Sequence, residues 1–80
     1  MNVRALLFAS YADALGQPAV QLTLPEGATV GDAVTRLRGM PGGASLPASP
    51  LVAVNLSYVK PSATLVHGDE LALIPPVAGG

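Results

Sequence analysis

Residues 29–40 read TVGDAVTRLRGM, and this stretch decides how the rest of the chain is read. Val30, Ala33, Val34 and Leu37 recur at helical spacing and make one apolar stripe. Thr29 can cap the first turn, with Asp32 three residues on in a near capping-box position. Arg36 and Arg38 fall where cations suit the negative end of the helix dipole. A helix is therefore expected here, with one face to bury. What it packs against must come from the chain on either side.

Upstream, residues 18–24 (PAVQLTL) alternate, with Val20, Leu22 and Leu24 against Gln21 and Thr23, as a half-buried strand does. Pro25-Glu26-Gly27 ends it. Residues 2–9 (NVRALLFA) are apolar on both parities, which suits a central strand. Val3, Ala5 and Leu7 point one way, and Leu6 and Phe8 the other. Residues 10–16 (SYADALG) make a short helix, with Ser10 as N-cap and Gly16 as its stop. Downstream, residues 39–50 carry three Gly and three Pro and are expected to be a mobile loop. LVAVN (51–55) is a third strand, Leu56-Ser57 a tight connection, and Tyr58-Val59-Lys60 a short strand. Residues 61–69 cross irregularly, with a turn at His67-Gly68-Asp69, and ELALI (70–74) is the last strand.

A main helix between two strand pairs packs on one face of a mixed sheet of about five strands. The expected class is α+β, with the layout of the β-grasp, or ubiquitin-like, fold. Residues 1–74 form the domain, and 75–80 an extended, flexible tail ending in Gly79-Gly80. The first and last strands, apolar on both parities, lie centrally, side by side and parallel. Phe8, Ala72 and Ile74 then fall on the sheet face away from the helix, where they enter no core. That face suits a partner.

Bulk properties narrow the function. Half of the 80 residues are hydrophobic and 11% are charged, too apolar for a disordered chain. The cations Arg4, Arg36, Arg38 and Lys60 make no dense run, so the footprint for nucleic acid is missing. With no cysteine there is no disulfide, thiolate catalysis or Cys-bound zinc, and a cytoplasmic setting is expected. The apolar run Ala5–Ala9 is shorter than the roughly 7–15 residues of a signal core. No run approaches the roughly 18 of a membrane helix, so no membrane partner is expected. His67 is the only histidine, and beside Gly68 and Asp69 it reads as turn chemistry rather than as part of a triad. One His without Cys makes no metal site, and the carboxylates are scattered. The chain is not expected to be an enzyme by itself or to bind a cofactor stably.

The ending is different. Terminal glycines by themselves mean frayed chain or an expression scar. Here the tail leaves directly from a central strand, and Pro75-Pro76 stiffens its root. Residues 75–80 can extend roughly 20 Å, enough to enter a partner's pocket. Glycine passes a narrow channel and leaves the final carboxylate unhindered. Converting that carboxylate to an acyl-adenylate removes its charge and supplies a leaving group. A sulfur donor can then attack to leave a thiocarboxylate, protected from water in a pocket.

Residues 68–80 (GDELALIPPVAGG), with support from 6–16 (LLFASYADALG) and 52–55 (VAVN), resemble the ubiquitin-like sulfur carriers of the molybdopterin synthase small-subunit family. The resemblance implies that Gly80 is the functional residue, and that Pro75, Pro76, Val77, Ala78 and Gly79 insert with it. It implies a ubiquitin-activating-like adenylyltransferase using ATP and magnesium, and a sulfur donor protein. It also implies a large synthase subunit, in a heterotetramer, that takes sulfur onto cyclic pyranopterin monophosphate to build the molybdopterin dithiolene. Phe8, Tyr58 and Ile74 match apolar positions that meet partners in the family. Tyr58 rests on the resemblance alone and reads equally as a cross-strand aromatic. Ala12 and Asp13 stand where many members have Arg and Glu, and His67 where Asp is common. Three other functions share these features: a carrier for thiamine thiazole synthesis, a protein modifier joined to lysines through Gly80, and an interaction module with an idle tail.

Overall fold

The structure is a computed structural model and describes residues 1–76. Its elements, in chain order, are β1 (Asn2–Leu7), α1 (Ala9–Leu15), β2 (Ala19–Thr23), α2 (Val30–Arg38), a 3-10 turn (Gly43–Ser45), β3 (Leu51–Val54), β4 (Ser57–Tyr58) and β5 (Glu70–Ile74). The strands form one mixed sheet in the order β2-β1-β5-β3-β4. β1 runs parallel to β5 and antiparallel to β2; β3 is antiparallel to both β5 and β4. This is the β-grasp arrangement expected from the element order.

α2 begins where the sequence asks it to. Asp32 donates its N–H to the Thr29 hydroxyl at 3.2 Å, and Thr29 donates its own to the Asp32 carboxylate at 2.9 Å, a complete capping box. Val30, Ala33, Val34 and Leu37 are all buried and share one core with Val3, Ala5, Leu7, Leu22, Val52, Leu71 and Leu73 from the sheet. Full burial of each large member contributes about 1.5–3 kcal/mol, so this seam dominates the fold's stability.

Three local expectations are corrected. Ser10 does not cap α1: the N-cap is Phe8, without a side-chain hydrogen bond, and Ala9 starts the helix at φ +46. Phe8 stays extended (φ −122°, ψ 151°), so the chain turns sharply after it. Gly16 does end the helix, at φ +72 in the left-handed region that lacks a Cβ penalty. The β3–β4 turn lies at Asn55-Leu56 rather than Leu56-Ser57, which moves β4 back to Ser57–Tyr58. Residues 39–50 are not a slack loop. Leu46 is buried in the core, and Arg38 Nε donates to its carbonyl at 3.0 Å. Gly42 and Gly43 wedge between the last turns of α1 and α2, where a Cβ would overlap the Ala14 and Leu37 carbonyl oxygens. Composition marks such a stretch as a loop but carries no sign of what it is docked to.

Candidate functional site

The register fixes what faces away from α2. Leu6 lies beside Ala72, Ala72 beside Ala53, and Ala53 beside Tyr58, a row across four strands. In the next row toward the tail, Ile74 pairs with Leu51. In the opposite direction Arg4 lies beside Glu70. The outer face is therefore an apolar surface with a charged border at one end and the tail's root at the other. The small side chains of Ala53 and Ala72 floor a groove walled by Leu6, Phe8, Leu56, Tyr58 and Ile74.

Of the five exposed large hydrophobic residues among those described, four border or line this face: Phe8 at 47% exposure, Leu51 at 51%, Tyr58 at 67% and Leu56 at 99%. A small monomer gains nothing by collecting such residues on one side. Phe8, Tyr58 and Ile74, singled out in the sequence, thus share one surface. Leu51 and Leu56 were missed. Leu51 could have been found by parity, since it shares a strand face with Ala53. Leu56 could have been found as a leucine in a tight turn, where glycine or asparagine is usual.

Beside the face, one polar cluster holds the frame. Asp69 is buried; its Oδ1 accepts from Asn55 Nδ2 and its Oδ2 from the Val66 N–H, both at 2.9 Å. Asn55 Oδ1 in turn accepts from the Glu70 N–H at 3.1 Å, and the Asn55 N–H donates to the Glu70 carbonyl at 2.9 Å. The β3–β4 turn is thereby tied to the start of β5. His67 also has a structural partner: its Nδ1 accepts from the Asn2 N–H at 2.9 Å. Asp69 and His67 therefore do not form a nucleophile-activating pair. Among the described residues no cluster of three His, Cys, Asp or Glu side chains could hold a metal ion, and no helix is long and apolar enough to cross a membrane.

β5 is the middle strand of the sheet, hydrogen-bonded on both sides, and it leads straight into half-buried Pro75 and exposed Pro76. The root of the tail therefore has a fixed position and direction beside Phe8 and Leu51. Val77, Ala78, Gly79 and Gly80 lie outside the described residues.

Against known families, the ThiS family model matches residues 5–80. The chain belongs to the ThiS family. As a ThiS-family protein it is 33% identical over 81 residues to a molybdopterin synthase sulfur carrier subunit from Arabidopsis thaliana, covering 100% of this chain and 84% of that protein. Among solved structures it is similar to SAMP1, small archaeal modifier protein 1, from Haloferax volcanii. That match has a TM-score of 0.87 and 31% identity and covers all of both chains. It also superposes on a chain in the complex of subunits 1 and 2 of the molybdopterin-converting factor from Helicobacter pylori, with a TM-score of 0.74 and 20% identity over 100% of both chains. At that identity the likeness concerns the fold. The ubiquitin-like β-grasp and the kinship with molybdopterin synthase carrier subunits both stand on these matches.

Proposed function

We propose that this ThiS-family protein is a sulfur carrier for molybdenum cofactor synthesis, working through the carboxylate of Gly80. The observation that carries this reading is the match to the Arabidopsis carrier subunit along the whole chain, its ending included. The site geometry supports it: a central strand aims the tail, and the apolar face lies at its root. An adenylyltransferase uses ATP and magnesium to turn the carboxylate into an acyl-adenylate. A donor that delivers sulfur at the sulfide level attacks the acyl carbon, the acyl–oxygen bond breaks with AMP as leaving group, and a thiocarboxylate remains. A persulfide donor gives an acyl disulfide, which a thiol reductant cleaves to the same thiocarboxylate. The face bearing Phe8, Leu51, Tyr58 and Ile74 then docks on the large synthase subunit. That the two subunits of molybdopterin-converting factor form a complex in Helicobacter pylori supports such a partner. The tail delivers sulfur there to cyclic pyranopterin monophosphate. This chain supplies the reactive terminus and its aim; the pterin is bound by the partner.

Mass spectrometry after incubation with activating enzyme, ATP, magnesium and sulfur donor should find one oxygen at Gly80 replaced by sulfur. An unchanged carboxylate under those conditions sinks the proposal. The likeness to small archaeal modifier protein 1 favours a second reading, in which the activated Gly80 is joined to amines of other proteins. That reading expects larger conjugates on a denaturing gel, lost when Gly80 is deleted.

A further inference from the structure

We infer that Leu56, at the tip of the β3–β4 hairpin, anchors the large synthase subunit, seating in an apolar pocket at the end of an interface that runs the full length of β5. This rests on the proposed function and extends its interface. Leu56 is 99% exposed, so its side chain contributes no packing to the fold. Its backbone sits at φ +74 and that of Asn55 at φ +48, a turn with both central residues left-handed. Asparagine tolerates that region, but a leucine there carries backbone strain that a glycine would relieve. Among the described residues, the non-glycine positions with positive φ are Ala9, Asn55 and Leu56, and all lie next to the apolar face: Ala9 follows Phe8, and the other two form the hairpin tip. Strain kept beside a surface, with no gain to the fold, is a mark of a functional position.

The tip is also rigid. The Asn55 side chain bonds to both Asp69 and the Glu70 N–H, which holds the hairpin against β5. An apolar side chain presented on a fixed support loses little freedom on docking. The occupant follows from continuity. A protein that receives the tail must already lie against Phe8, Leu51 and Ile74 at its root. The groove continues from there to Leu56, along the four residue steps from Ile74 to Glu70, about 13 Å. The Helicobacter pylori assembly pairs a chain of this fold with subunit 2 of molybdopterin-converting factor, and on the proposed function that subunit is the occupant of this face while sulfur is handed over.

The full-length chain and its Leu56→Gly variant are titrated against the purified large subunit, and both are melted. Glycine suits the backbone, so the melting temperature should hold or rise, while the affinity should weaken roughly tenfold. Leu56→Lys, which places a charge in the apolar seat, should weaken it at least as much. Affinity kept within about twofold in both variants overturns the anchor. A lowered melting temperature for Leu56→Gly overturns the claim that the side chain does nothing for the fold. If the variants lose sulfur loading by the activating enzyme but bind the large subunit normally, the assigned occupant is wrong. A wild-type chain that does not bind the large subunit overturns the proposed function itself, separately from the anchor.

Discussion

Asp69 is the one charged side chain buried among the described residues, and both its oxygens are used. A buried carboxylate is tolerable only when hydrogen bonds replace its water. Here they come from the Val66 N–H and the Asn55 side chain, so the charge fastens the 66–69 turn to the hairpin tip. Asp69→Ala leaves both donors unpaired and should cost about 2 kcal/mol, read from the urea midpoint. Loss of the bolt also leaves the Asn55 side chain held by the Glu70 N–H alone, so the same variant should bind the large subunit less tightly than its residual stability alone explains. Unchanged stability would mean that water replaces the carboxylate fully. The turn itself was legible from His67-Gly68-Asp69, because glycine and aspartate there have local chemistry. The bolt was not: Asn55 and Asp69 are distant in sequence, and no local rule joins them.

At the scale of elements, legibility follows the range of the forces involved. α2 was readable because its cap, stripe and dipole partners all lie within the helix. Thr29→Ala should remove one half of the capping box and cost about 1 kcal/mol in thermal or chemical unfolding. The two central strands were readable from apolar residues on both parities, although only one parity enters the core and the other makes the outer face. α1 was misjudged at its start, because the left-handed Ala9 places Phe8 rather than Ser10 at the cap. The 39–50 loop was misjudged as slack. Its glycines serve close approach: Gly43 lies where a Cβ would meet the Leu37 carbonyl and the Arg38 backbone. Gly43→Ala must push the loop off the end of α2 and should cost about 1–3 kcal/mol, as overpacked sites do. It should therefore be at least as damaging as Thr29→Ala, although it adds only a methyl group and removes no hydrogen bond. Equal melting curves for Gly43→Ala and wild type would show that the loop is loose after all.

At the scale of the molecule, the described core closes at Leu73 and the outer face stands apart from it. Folding, docking and sulfur transfer are therefore separable. A chain lacking Gly79 and Gly80 should melt with the full chain, because its core is complete, and should accept no sulfur, because the carboxylate it then ends on, at Ala78, falls two residues short of the activating site. It should nevertheless still dock, since Phe8, Leu51, Tyr58 and Ile74 remain on its surface. It then becomes an inhibitor. Added in excess to large subunit and thiocarboxylated wild-type chain, it should slow molybdopterin formation by occupying the face that the loaded chain needs. Phe8→Asp on the truncated chain should relieve that inhibition by putting a charge into the apolar seat. Its effect on stability should be modest, because Phe8 is 47% exposed and touches solvent in the free chain. Failure of the truncated chain to inhibit, even in large excess, would mean that the tail alone carries the affinity and that the apolar face has another use.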